Sequence, residues 1–272
     1  LQNSNFVKKN KMTIGIVGCG NLGFSLLNGI RLKDKNVKII ASKRTIKEFE
    51  YLQSPKTLFT VSNPELIKQS DIIIIALKPY NVLSFLKENK QYFDSDKHSI
   101  VSVASGITLA EMGEELGDKF DVFRAMPNTA ASVNESITAI SLKNDHLNRE
   151  KAIIELFNSL GETIVIDETL MESATIVGAC GIAYVLRFMR AMIQGGIEVG
   201  FDAKTATKIV SQTVKGAAQL IITNGTHPEE EIDKVTTPKG CTIVGLNEME
   251  HSGFSSALIK GIVTSYEKIE KK

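Results

Sequence analysis

Ile14-Gly15-Ile16-Val17-Gly18-Cys19-Gly20-Asn21-Leu22-Gly23 is the stretch on which the fold of this 272-residue chain turns. A short β-rich run, Ile14 to Val17, leads straight into G-x-G-x-x-G, and Asn21 to Leu32 has the spacing of a helix. At such a corner the first glycine permits the tight turn, the second lets backbone approach a pyrophosphate, and the third lets helix and strand pack closely. The helix N-terminus adds free N–H donors and positive potential. Three spaced glycines also serve ordinary turns, so the strand before and the helix after give the motif its value.

Outward from this corner, short β-rich runs alternate with longer helical stretches, the pattern of a parallel sheet covered by helices. Val37 to Ala41, Ile72 to Ala76, Ile100 to Val103, Val122 to Met126, Ser136 to Leu142 and Thr163 to Ile166 read as further strands. Their spacing predicts about eight strands in one Rossmann-type, doubly wound α/β domain over residues 12–166. From 167 to 272 nearly everything is helical in pattern, apart from the breaker cluster at Thr236 to Gly240. Ala174 to Ile197 is apolar on most faces, which predicts burial on several sides and so a second subunit; a self-contained helical domain is the alternative. Residues 1–11 are polar and basic, and Met12 directly precedes the first strand, so 1–11 is expected to be a leader or tag remnant.

Lys+Arg 32 against Asp+Glu 31 leaves a net charge of +1, which offers nucleic acid no broad basic field. The longest uninterrupted apolar run, Ile72 to Leu77, is far short of the ~20 residues of a membrane span, so none is expected. Cys19, Cys180 and Cys241 are odd in number and widely spaced, which argues for a reducing compartment, by default the cytoplasm. Neither they nor His98, His146, His227 and His251 have metal-ligand spacing, and no G-x-S-x-G nucleophile elbow occurs.

Cofactor choice is read at the end of the second strand, where an NAD enzyme places Asp or Glu on the ribose hydroxyls. Here the chain has Ala41-Ser42-Lys43-Arg44. With no acid there and a hydroxyl and two cations available for a 2′-phosphate, NADPH is expected in preference to NADH. The alternative is that Lys43 and Arg44 form a solvated loop. Ala76-Leu77-Lys78-Pro79 and Ser102-Val103-Ala104-Ser105-Gly106 leave two strands at their carboxyl ends, where open α/β sheets bind ligands.

Further motifs appear at Arg124-Ala125-Met126-Pro127-Asn128-Thr129 and Val235-Thr236-Thr237-Pro238-Lys239-Gly240-Cys241-Thr242-Ile243-Val244-Gly245-Leu246. Together with Gly18 to Gly23 and the two strand exits, they make the chain resemble the pyrroline-5-carboxylate reductase family over nearly all of 12–272. The last stretch is similar to that family's signature V-T-S-P-G-G-T-T-I-A-G-L. The resemblance implies NADPH-dependent reduction of a five-membered cyclic imine acid to proline. It implies cofactor contacts from Gly18, Cys19, Gly20, Asn21, Leu22, Gly23, Ser42, Lys43, Arg44, Asn63, Ala76, Lys78, Pro79 and Ala104. Lys239, Gly240, Cys241 and Thr242 are the matching substrate positions, with Thr242 the catalytic hydroxyl. An Asn-Pro turn is the other reading of Asn63, a plain N-cap the other reading of Thr242, and a small buried filler the other reading of Cys241.

Two departures stand out. The family's S-G-S-G-P-A-Y appears as Gly178-Ala179-Cys180-Gly181-Ile182-Ala183-Tyr184, and Lys239 replaces the first glycine of P-G-G. Either departure is expected to alter affinity or substrate choice, and the first keeps open a cofactor-binding paralogue without catalysis. A β-hydroxyacid dehydrogenase shares the layout but needs a lysine early in its helical domain, and Gly178 to Gly196 contains none.

Overall fold

The computed structural model describes residues 12–270; the expected leader at 1–11 lies outside them. It divides into two compact units, one running up to Cys180 and the other from Gly181 to Glu267.

The first unit is built on an eight-stranded sheet in the order β3-β2-β1-β4-β5-β6-β7-β8. β1 is Thr13–Val17, β2 Lys38–Ser42, β3 Thr57–Thr60, β4 Ile72–Ile75, β5 Ser99–Ser102, β6 Asp121–Met126, β7 Ser136–Leu142 and β8 Gly161–Val165. Helices α1 (Asn21–Lys33), α2 (Asn63–Gln69), α3 (Val82–Asn89), α4 (Leu109–Leu116) and α5 (Glu150–Asn158) are wound between the strands. The unbroken Ile72 to Ile75 run is a central strand with apolar packing on both faces, and all four residues are buried. Two large apolar clusters, one containing Leu26, Ile74 and Phe157, the other Leu66, Ile73 and Leu86, and a small third of Met126, Ala139 and Met171 form the core.

Two details depart from expectation. β3 was not anticipated: Thr57-Leu58-Phe59-Thr60 is only four residues long, and its buried-intermediate alternation is that of an edge strand. The sheet is also not wholly parallel, because β6 pairs antiparallel with β7. The link from Met126 to Ser136 holds only a 3₁₀ turn, Thr129–Val133, and is too short for the crossover that a parallel pair needs.

From Glu168 to Glu270 the chain is mainly helical, as expected. A short helix α6 (Met171–Ala174) runs into a π-helical turn, Thr175–Cys180. The second unit contains α7 (Gly181–Glu198), α8 (Ala203–Asn224), α9 (Pro228–Val235), α10 (Cys241–His251) and most of α11 (Phe254–Glu270). Within it α7 and α8 pack closely at Gly196, where an added Cβ would lie 3.3 Å from that of Ala206. No residue of α7 is buried in a single copy, and Leu186, Ile222, Val244 and Ile259 are among the large apolar side chains left exposed. Glu168–Glu198 is long and apolar enough, by length and composition, to cross a membrane. Arg187 and Arg190 interrupt its apolar residues, so it contains no long unbroken apolar run, and a helix that packs against a partner passes the same test.

Candidate active site

The parallel strands β1 to β5 all end at one edge, and the strand order reverses between β1 and its neighbours β2 and β4. That is the switch point at which such sheets form a ligand crevice. Gly18 leaves β1 with φ +91°, a conformation that L side chains avoid. A Cβ on it would lie 2.7 Å from the Ala76 carbonyl, so β1 and the exit of β4 approach closely here. Across the other flank, the Gly18 and Cys19 N–H groups donate to the Ser42 carbonyl at 3.1 and 3.0 Å. The Cys19 side chain is buried, and its thiol is pushed up to about 11, mainly by burial.

With those two N–H groups engaged, the donors left for a ligand are at the start of α1. Its N-cap is Gly20, no side chain caps it, and no acidic residue stands in its first turn. Its first N–H groups therefore have no intrahelical partner. Nothing lies within 4 Å of a Cβ built on Gly20, so the space before them is open. This corner can hold a dinucleotide pyrophosphate.

Ser42, 3% exposed at the end of β2, donates its hydroxyl to Asn63 Oδ1 at 2.7 Å. Asn63 is the first residue of α2, whose N-cap is Ser62. Two positions 21 residues apart are thereby brought together. Lys78 is exposed and precedes the 3₁₀ turn Pro79–Asn81, while Ala104 is buried past β5 with its N–H donating to Ser102 Oγ at 3.3 Å. Arg44 is exposed, but Lys43 is ion-paired with Glu48, an acid that reading the end of β2 alone had missed.

The Arg124 to Asn128 motif is architectural in this unit. Arg124, 3% exposed, holds Glu168 at 3.0 Å and Glu172 at 2.8 Å. Asn128 donates to the Gly178 carbonyl at 3.1 Å and so ties the β6 exit to the π-turn.

In the second unit, Thr237-Pro238-Lys239-Gly240 is a tight turn closed by Gly240 N–H donating to the Thr237 carbonyl at 2.9 Å. Proline at the second position and φ 60° at Lys239 make it type II, the turn that ordinarily takes glycine where Lys239 stands. Gly240, not Thr242, is the N-cap of α10, so the plain N-cap reading of Thr242 does not hold. Thr242 is the second helical residue, half-buried, and its hydroxyl has no hydrogen-bond partner among the described residues. Cys241 is exposed in a single copy rather than a buried filler, because it is the first residue of α10, which buries none of its residues there. No cluster of three or more metal-ligating side chains occurs among the described residues.

A doubly wound sheet with this glycine corner at its switch point defines a Rossmann-type dinucleotide-binding protein. The family model described as NADP oxidoreductase, coenzyme F420-dependent, matches residues 13–106, and that described as pyrroline-5-carboxylate reductase dimerisation matches 168–272. Pyrroline-5-carboxylate reductase 2 of Dictyostelium discoideum is 40% identical, with 97% of this chain and 94% of the relative covered. The Escherichia coli reductase is 31% identical, with 95% and 97% covered. A longer relative, pyrroline-5-carboxylate reductase 1 of D. discoideum, is 40% identical, and this chain spans 49% of its length. The crystal structure of the Plasmodium falciparum enzyme with NADP bound superposes with a TM-score of 0.86 at 26% identity, covering 96% of this chain and 97% of that one. The chain belongs to the pyrroline-5-carboxylate reductase family.

Proposed function

We propose that this protein reduces Δ1-pyrroline-5-carboxylate to proline with NADPH, with residues 12–166 as the dinucleotide domain and 167–272 as the substrate and dimerisation domain. The observation that carries this reading is the 40% identity to the D. discoideum reductase 2 over 97% of this chain and 94% of that relative. The NADP-bound P. falciparum structure and the open glycine corner support the cofactor.

Bound NADPH supplies a hydride to the imine carbon, and a proton must reach the ring nitrogen. The chain's own residues bind and orient. The uncapped start of α1, at Gly20 to Gly23, takes the pyrophosphate, and Ser42, Lys43, Arg44 and Asn63 read the adenosine end. Ala76, Lys78, Pro79 and Ala104 line the exits of β4 and β5 beside it.

The first turn of α10 holds the substrate carboxylate through the N–H groups of Cys241 and Thr242, with the Lys239 cation alongside. The Gly240 N–H is already engaged in the turn and contributes by shaping it. The unpartnered Thr242 hydroxyl hydrogen-bonds the ring nitrogen and keeps it bonded as its charge changes.

The exposed apolar helices of the second unit support a homodimer through the C-terminal helices. Three free cysteines, odd in number and widely spaced, support the reading of a reducing compartment, with the cytoplasm as the default.

NADPH oxidation assayed with pyrroline-5-carboxylate tests the reading: substrate-dependent turnover is expected. Tight NADPH binding with no turnover would instead mark a cofactor-binding paralogue.

A further inference from the structure

The end of β2 places Ser42, Lys43 and Arg44 together with no acid among them, and the fold then adds one. After β2 the chain makes a 3₁₀ turn, Lys47–Leu52, anchored by its buried Phe49. The Phe49 ring is stacked on Phe59 of β3 and tilted against Phe24 of α1, 5.2 Å from each centroid. With that ring turned into the core, the neighbouring Glu48 carboxylate is outside and forms an ion pair with Lys43 Nζ. The same ammonium lies 4.7 Å from the Phe49 ring centroid, so the aromatic face and the carboxylate hold it together. Both charges reach the glycine corner: after burial, Lys43 and then Glu48 are the groups that act on the Cys19 thiol, in opposite directions. Arg44 has no ion pair among the described residues.

We propose that Glu48 is a cofactor-specificity residue, an internal competitor that occupies Lys43 and thereby weakens the preference for NADPH over NADH. This rests on the reading that Lys43 and Arg44 receive the 2′-phosphate; the Ser42 hydroxyl, which donates to Asn63 Oδ1, is not one of its donors. In the free protein Lys43 is already neutralised, so the phosphate must displace Glu48 to reach it, and Arg44 is the cation it meets unopposed. The pair is partly exposed, at 32% and 55% for the two side chains, so the exchange is possible and its effect modest. NADH has no phosphate to exchange. It binds with the Lys43–Glu48 pair intact, and loses less relative to NADPH than two free cations would dictate.

Isothermal titration of the full chain with NADPH and with NADH tests this, comparing the parent protein with Glu48→Gln, Lys43→Met, the double variant and Arg44→Met. Glu48→Gln is expected to tighten NADPH binding roughly fivefold while leaving NADH within about twofold. In the Lys43→Met background the same substitution is expected to have less than half that effect on a logarithmic scale. The NADPH affinity of Glu48→Gln is also expected to fall more steeply with added salt, because a further cation then meets the phosphate. Unchanged NADPH affinity in Glu48→Gln, or an equal gain for both cofactors, overturns the proposal. Arg44→Met separates this from the underlying reading. If it keeps full NADPH affinity, the placement of the phosphate is wrong and the proposal falls with it. If it loses affinity while Glu48→Gln changes nothing, the proposal alone is wrong.

Discussion

The Ser42 hydroxyl donates to Asn63 Oδ1 at 2.7 Å, joining the last residue of β2 to the first residue of α2. Because the amide oxygen is engaged, the amide nitrogen is the end of Asn63 left free to donate. Ser42→Ala removes the bond that selects this orientation. NADPH affinity is expected to fall about two- to tenfold, the range of one ordinary hydrogen bond. Titration calorimetry checks it, and an unchanged dissociation constant would show that the pair plays no part in binding.

Removing the hydroxyl at Thr242 should separate chemistry from cofactor binding. Thr242→Ala is expected to lower turnover by roughly a hundredfold, within the usual range for a positioned proton donor. NADPH affinity should stay within about twofold, since the hydroxyl makes no bond among the described residues that its loss would disrupt. Unaltered turnover would refute the assignment.

Lys239 holds a left-handed conformation, with φ 60°, that costs a non-glycine residue about 1 kcal/mol. Lys239→Gly should relieve this strain, although the glycine makes the unfolded chain more flexible and reduces the gain. The net change in stability is expected to be within about 1 kcal/mol, measured by chemical denaturation. The same variant removes a cation beside the proposed carboxylate cradle, so KM for the imine acid should rise several-fold with kcat little changed. An unchanged KM would remove Lys239 from the substrate site.

Arg124 is the shared partner of two carboxylates, and its loss would leave both uncompensated near its buried site. Arg124→Met is expected to destabilise the protein by about 3 kcal/mol. Glu168 Oε1 also accepts from the Leu109 N–H at 2.7 Å, so the effect should extend to the start of α4 and appear as faster hydrogen exchange there. Equal stability of variant and parent in urea would count against this account.

Buried His98 sets an acid limit. Burial first, and then the Lys97 charge, lower its pKa from 6.5 to about 4. Its Nδ1 accepts from the Asp94 N–H at 2.9 Å, so the proton is on Nε2, which is buried with no partner. The unfolded chain binds this proton more readily than the folded one, so the stability from neutral His98 is complete above about pH 6.5 and is lost as pH falls toward 4. The loss amounts to about 3 kcal/mol. Denaturation midpoints measured from pH 7 to pH 4 should fall more steeply for the parent than for His98→Gln. Parallel slopes would show that other groups control the acid limit.

The chain's own local order determined much of this protein. The Gly18 to Gly23 corner, the unbroken Ile72 to Ile75 run and the change to helical spacing after Asp167 are legible because turn geometry and burial on both strand faces constrain neighbouring residues directly. Long-range placement is different. Glu48 reaches Lys43 because Phe49 stacks against Phe59 of the unanticipated edge strand β3. Arg124 meets Glu168 and Glu172 because β6 lies beneath the chain that follows β8. Ser42 finds Asn63 because β2 and β3 are neighbours. Each pairing depends on how distant segments stack against one core, and spacing along the chain does not contain that information. Charge and hydrogen-bond partners at the candidate site were therefore settled by tertiary packing, on a framework that the residue pattern had already determined.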